Sequence, residues 1–302
     1  MAALEIVQLE PGKVIDKWEV VKKLGEGGFG AVYKVKDAND FYALKVEGIN
    51  EPIQVLKIEV NVLQELNERG GRHHCRLEGK GRVGTFNYLV MSLVGKSLQE
   101  LRKDNENGYL TTGCAVSVAI QCLEALEDLH GVGYLHRDIK PGNYTIGRAE
   151  ANEIRKVYIL DFGMCRKYID ENGVIKKPRK LAAFRGTVRY ASIACHMQRE
   201  LGRKDDVETW LYMAAELTHG NLPWKTIQDL NEVGDYKRRC KAMPYILEVY
   251  QGCPKGYIDI ANHVHSLKYY DPPDYENYYK ILRKTFVGMG ISEFPYDWEK
   301  KE

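Results

Sequence analysis

Near its start the chain runs in short stretches of β-branched and aromatic residues broken by turn formers. Trp18 to Val21, Ala31 to Lys36 and Phe41 to Val46 read as three strands, with an Asn39-Asp40 turn signal between the last two. The period then changes. Pro52 suits the first turn of a helix, and Val55, Ile58, Val62 and Leu66 recur at helical spacing behind it. Tyr88 to Met91 has the pattern of a buried strand, followed by a short connection from Ser92 to Gly95. Ala115, Val118, Ala119, Cys122, Leu123, Leu126 and Leu129 share one face of a longer helix, capped by Thr111 or Thr112 and ended by Gly131. Val157 to Leu160 reads as another strand after a polar turn from Gly147 to Arg155. Asp205 and Asp206 open a helix to about Thr218. Its Val207, Trp210, Leu211, Met213, Ala214 and Leu217 make it apolar almost all round, so it is expected at the centre of a domain. From Ile227 to Phe286 helical patterns alternate with proline-rich turns such as Asp271-Pro272-Pro273-Asp274, and no internal repeat is found.

A chain of 302 residues allows one large two-lobed unit or two small domains. Its formal net charge of +2 provides no overall field for nucleic acid. Seven scattered cysteines without short-spaced pairs point to reduced thiols. His73, His74 and Cys75 cluster without a second ligand pair, so they read as ordinary surface. Residues 1–12 lack a signal-peptide pattern, and no apolar run reaches membrane-spanning length. The expectation is a cytoplasmic or nuclear monomer that engages neither membrane nor nucleic acid.

The candidate chemistry centres on Leu135-His136-Arg137-Asp138-Ile139-Lys140-Pro141-Gly142-Asn143, between a helical and a strand pattern. A carboxylate with an ammonium two residues on and an amide five residues on suits phosphoryl transfer. The carboxylate orients an attacking hydroxyl, the ammonium meets the travelling charge, and the amide oxygen holds magnesium. Asp161-Phe162-Gly163 offers that metal a carboxylate. Leu24-Gly25-Glu26-Gly27-Gly28-Phe29-Gly30-Ala31-Val32 fits G-x-G-x-x-G-x-V, in which glycines let backbone amides approach phosphates. A dinucleotide-binding turn has the same spacing, but the segment behind it here is strand-like rather than helical. Lys45 stands among strand formers, either as a snorkelling edge lysine or as a phosphate contact. Glu59 beside the helical stripe, or Glu65 nearer the helix end, could pair with it.

These residues closely resemble the eukaryotic protein kinases. The resemblance implies an α+β fold of two lobes: an N-terminal extension over 1–13, a small β-rich lobe over about 14–91, a hinge at 92–95 and a larger helical lobe over 96–300. It implies ATP and Mg2+ as cofactors and a protein Ser or Thr as substrate. Asp138 would be the catalytic carboxylate, Lys140 its charge partner, and Asn143 and Asp161 the metal ligands. Lys45 would meet the phosphates with Glu59 as its partner, and Leu63 would pack towards Phe162 and His136. The nucleotide would be enclosed by Leu24, Gly25, Glu26, Gly27, Gly28, Phe29, Gly30, Val32, Ala43 and Lys45. Met91 would be the gatekeeper, with the backbones of Ser92 and Val94 at the adenine edge and Thr145 as an unusually polar floor. Thr187 would bond Asp138 and Lys140, and Asp206 would anchor the loop.

From Phe162 to Gly186 the chain carries seven Lys or Arg residues and neither Ser nor Thr, with Tyr168 as its sole hydroxyl. The run is either a solvated face or a groove for acidic or phosphorylated peptides. Arg137, Arg185 and Arg189 are the candidate anion contacts. Activity without phosphorylation of this segment is expected. Arg185 to Ile193 replaces the usual Ala-Pro-Glu, as in the casein kinase 1 group. Within it, Ala43 to Glu47, Val55 to Val60, Phe184 to Ser192 and Phe294-Pro295-Tyr296-Asp297-Trp298 look most like the tau-tubulin kinases, which implies a cytoskeletal substrate. Two departures qualify this. Ala194 stands where the group has Asn, and Asp235 falls near the lysine that holds a priming phosphate in casein kinase 1 relatives. An ATP-binding pseudokinase scaffold is the competing reading, although Lys45, Asp138 and Asp161 are all present.

Overall fold

A computed structural model describes residues 6–27 and 30–299. The first lobe is one antiparallel sheet of β1 (Val14–Ile15), β2 (Trp18–Gly27), β3 (Gly30–Lys36), β4 (Phe41–Gly48), β5 (Leu77–Val83) and β6 (Phe86–Ser92). Spatially the strands run β1-β2-β3-β4-β6-β5. Strict alternation along β3 buries Ala31, Tyr33 and Val35 in one cluster with Trp18, Val20, Leu44, Val46, Tyr88 and Val90. The three strands read from the pattern are β2, β3 and β4, and the sheet extends beyond them on both sides.

Helix α1 (Leu56–Glu68) lies behind this sheet. It starts four residues later than the proline signal suggests, because its first turn is capped from the sheet. Glu47, buried at the end of β4, accepts the N–H groups of Val55 (2.7 Å) and Leu56 (3.1 Å) on one carboxylate oxygen. Pro52 therefore lies in the approach to the helix.

The second lobe contains α2 (Leu98–Asp104), α3 (Thr112–Gly131), α4 (Ile193–His196), α5 (Arg203–His219), α6 (Leu230–Arg239), α7 (Ile246–Tyr250), α8 (Gly256–Ser266) and α9 (Tyr275–Met289). Its short strands pair as β7 (Tyr134–Leu135) with β10 (Arg166–Lys167), and β8 (Tyr144–Ile146) with β9 (Val157–Ile159). Helix α5 is central, as its all-round apolar pattern requires. Trp210, Met213, Ala214 and Leu217 are fully buried, and Trp210 Nε1 donates to the Ala119 carbonyl of α3 at 2.9 Å.

Thr111 precedes α3, but its side chain makes no capping bond to the helix. The acceptor comes from far along the chain. Asp297 accepts the Thr111 N–H (2.7 Å), the Thr111 hydroxyl (2.6 Å) and Asn105 Nδ2 (3.0 Å). Tyr296 is buried beside it with its hydroxyl on Ser117, and Trp298 Nε1 donates to the Ile154 carbonyl at 2.8 Å. The C-terminal segment is thus a strap across α3 and the β8–β9 loop. Replacing Asp297 by Ala should cost about 1–3 kcal/mol, because three donors lose one acceptor. Urea denaturation of the two proteins measures this as a lower midpoint at unchanged slope.

Candidate active site

The loop between β7 and β8 is held from beneath by one carboxylate. Asp206, in the first turn of α5 and 3% exposed, accepts the N–H groups of His136 (2.7 Å) and Arg137 (2.9 Å) and lies 2.9 Å from His130 Nε2. Burial alone would raise its carboxyl, but the His130 hydrogen bond, the histidine charges and the Arg137 amide hold it below the ordinary range. Arg137 takes a positive φ of 69°, so the loop reverses there. His136 Nε2 meets the Leu160 carbonyl at 3.0 Å, and its ring meets the edge of Phe162 at 5.8 Å between centroids. The side chain is packing and scaffolding.

Asp138, itself buried, has both oxygens engaged. Lys140 Nζ is 2.6 Å from Oδ2, and the Thr187 hydroxyl donates to Oδ1 at 2.8 Å. Lys140 Nζ also lies 3.4 Å from Thr187 Oγ1, so the expected bonds of Thr187 to Asp138 and Lys140 are both present. Gly186 has φ +92°, and a Cβ there would meet the Arg137 carbonyl oxygen at 2.5 Å. Glycine is needed for Thr187 to come this close. Asn143 Nδ2 donates to the Asp138 backbone carbonyl at 2.8 Å, which leaves the amide oxygen as the remaining acceptor.

Lys45 and Glu59 meet behind the sheet at 2.6 Å, and Lys45 Nζ is 3.5 Å from Asp161 Oδ1. Burial opposes the Lys45 ammonium, yet two carboxylates facing it raise its value overall. Burial and the Asp161 charge push Glu59 up to about 7 against the pull of Lys45. Burial would also raise Asp161, but the Lys45 charge, a hydrogen bond with Glu59 and the charges of His136 and Lys140 hold it low. Glu65 takes no part: it accepts Tyr134 Oη (2.9 Å) and Lys167 Nζ (2.9 Å), which fixes α1 to the second lobe.

Leu24, Gly25, Glu26 and Gly27 lie on β2 and Gly30 opens β3; Gly28 and Phe29 are outside the described residues. A Cβ on Gly30 would meet the Val46 carbonyl oxygen at 1.9 Å, so this glycine is required by close backbone approach. Val32 is opposite Lys45, and Ala43 is opposite Met91. Ser92 ends β6, with Val94 in the connection beyond. Thr145 is buried on β8, and its hydroxyl has no hydrogen-bond partner among the described residues. Strand pairing thus brings the glycine strand, Lys45 and the start of the connection onto neighbouring strands of one sheet. The donor set suits a nucleotide-bridged divalent cation. Asp161 is half-exposed and Asn143 offers an amide oxygen, while no group of three or more His, Cys, Asp or Glu among the described residues could hold a metal alone. Such a cation would complete its shell with phosphate oxygens and water.

Of the candidate anion contacts, Arg185 is exposed and Arg137 half-buried, and Arg137 Nε donates to the Met164 carbonyl at 2.7 Å. Burial, then the charges of Arg166 and Arg185, lower the Arg137 guanidinium from its ordinary value. Arg189 departs from expectation. Its guanidinium is 3.0 Å from Glu216, a fully buried carboxylate that also receives Arg102 at 3.6 Å, so it is engaged within the protein. The sequence reading also missed Glu200. This buried residue receives both Arg166 (3.5 Å) and Arg179, two arginines of the segment read as a basic run. Tyr168, that segment's sole hydroxyl, is buried and donates to the His130 carbonyl at 2.7 Å.

A protein kinase domain model matches residues 18–265. A probable serine/threonine-protein kinase of Dictyostelium discoideum is 35% identical over 286 residues, covering 94% of this chain and 56% of that protein. The serine/threonine-protein kinase spe-6 of Caenorhabditis elegans is 35% identical over 295 residues, covering 95% of this chain and 76% of the relative. A putative casein kinase I of the same nematode is 30% identical over 297 residues, covering 97% and 86%. The chain therefore spans little more than half the length of the Dictyostelium relative.

The Thr187→Val substitution keeps the shape and removes the hydroxyl that orients Asp138. It should lower kcat/KM for peptide roughly ten- to a hundredfold, the worth of a hydrogen bond to a charged group, while nucleotide affinity stays constant. Steady-state kinetics with a nucleotide-binding titration checks both.

Proposed function

The chain belongs to the protein kinase family, and we propose that it acts as a protein serine/threonine kinase. On that premise we propose that it transfers the γ-phosphoryl of Mg·ATP to protein hydroxyls in the manner of the tau-tubulin kinases. The supporting observation is the Lys45 contact with both Glu59 and Asp161, because it joins α1, β4 and the Asp161-Phe162-Gly163 turn in one arrangement. Asp138 orients the Ser or Thr hydroxyl and accepts its proton. The substrate oxygen bonds to the γ-phosphorus as the bond to the β–γ bridging oxygen breaks, and ADP leaves. Lys140 meets the charge on the moving phosphoryl, and Lys45 positions the α- and β-phosphates. Asn143 and Asp161 would hold magnesium, which when bound neutralises phosphate charge.

The enzyme is proposed to act without phosphorylation of residues 162–186. That segment lacks Ser and Thr, its tyrosine is buried, and Glu200 already engages Arg166 and Arg179 from within. Arg137 and Arg185 remain for an acidic or phosphorylated substrate group. Strong dependence on a priming phosphate is disfavoured, since Asp235 is paired with Arg238 and Arg189 with Glu216.

Two outcomes follow. Asp138→Asn should abolish magnesium-dependent transfer from labelled ATP onto acidic Ser/Thr peptides while nucleotide binding persists; surviving transfer would reject the catalytic assignment. Enzyme made in bacteria and treated with phosphatase should keep its activity within about twofold, and peptides phosphorylated upstream should gain less than about tenfold over unprimed ones. A large loss or a large gain would overturn the respective reading.

A further inference from the structure

The segment that follows Thr187 rests on a buried lysine. Lys237, on α6, is 1% exposed. Its neighbours Arg238 and Arg239 reach the surface and pair with Asp235 and Glu248. Lys237 instead turns inward. Its Nζ donates to the carbonyls of Val188 (2.9 Å) and Ala191 (2.7 Å) and lies 3.2 Å from His196 Nε2. His196 Nδ1 is 2.9 Å from the Leu230 carbonyl, which can only accept. The histidine proton is therefore assigned to Nδ1, and Nε2 accepts from Lys237. An ammonium with three donors meets three acceptors.

No carboxylate forms an ion pair with Lys237 among the described residues, whereas the rings of Trp224 and Tyr212 lie 5.0 and 5.1 Å from Nζ. Burial pushes Lys237 down to about 7, with Glu208 and Cys195 opposing, and it pushes His196 down to about 4. Packing alone does not account for a lysine at such a place, because Met or Leu would fill it without the desolvation cost. The particular gain is the grip on two carbonyls three residues apart.

Those carbonyls bracket Arg189 and Tyr190. Trp224 Nε1 donates to the Arg189 carbonyl at 2.7 Å, and Glu216 receives the side chains of Arg189 and Tyr190. Upstream, Thr187 donates to Asp138. We propose that Lys237 is a positioning residue for the protein substrate, clamping Val188 to Ala191 so that the hydroxyl to be phosphorylated is presented to Asp138. The proposal rests on the reading of Asp138 as the catalytic carboxylate. It assigns Lys237 no contact with nucleotide.

The test compares wild type, Lys237→Met and Lys237→Arg as full chains, using Mg·ATP and the best acidic Ser/Thr peptide of the wild type. Lys237→Met keeps length and removes the donors. Its KM for peptide should rise about tenfold or more, while nucleotide affinity stays within about twofold of wild type and Lys237→Arg regains part of the loss. An unchanged peptide KM, or equal weakening of peptide and nucleotide binding, would overturn the proposal. If Lys237→Met does not fold by circular dichroism, His196→Leu carries the test. It removes one acceptor, so a raised peptide KM supports the clamp and unchanged kinetics overturn it. Anisotropy of labelled peptide reads binding directly. Weaker binding by the variant supports the clamp even if the wild type proves inactive, a result that would count against the catalytic reading instead; equal binding sinks the clamp.

Discussion

Asp206 is the constraint on which the site depends. A carboxylate buried in a helix-rich lobe is tolerable only where donors replace water, and here the donors are two backbone amides of the Asp138 loop and a histidine ring. The loop supplies what the buried charge needs, and the charge fixes the loop's reversal at Arg137. Its position is set in turn by α5, whose Trp210 indole and aliphatic side chains occupy the centre of the lobe. Geometry at Asp138 is thus inherited from core packing several residues away.

A second constraint joins the lobes. Helix α1 is capped at its start by Glu47 on β4 and tied near its end to β7 and β10 through Glu65. Further back, Arg72 donates to Asp128 on α3, with Nη2 2.8 Å from Oδ1. Each bond at a partly exposed site is modest alone. Together they leave Glu59 beside Lys45.

Much of this was legible in the sequence where short-range spacing carries the chemistry. Asp138, Lys140 and Asn143 lie within one loop, so their spacing nearly determines their mutual reach. Periodicity likewise located β3, α3 and the buried helix α5. What escaped depended on contacts between distant segments. Asp297 caps a helix that begins 185 residues earlier in the chain, next to Thr111. Glu200 and Glu216 are ordinary acids in sequence and become counter-ions only once α4, α5 and the basic segment converge. The start of α1 was misplaced for the same reason, since its capping group belongs to a strand. Lys237 carried no signal in the sequence, because a run of three basic residues does not reveal which one turns inward.

The indole of Trp224 has a practical consequence. It is 1% exposed and hydrogen-bonded to the backbone of the very segment beneath which Lys237 lies. Of the four tryptophans, Trp18 is in the sheet, Trp210 bonds α3 and Trp298 bonds the β8–β9 loop. Only Trp224 among them donates to the segment after Thr187. The protein therefore contains its own optical probe there: rearrangement of that backbone changes the surroundings of one emitting ring, without a label being attached.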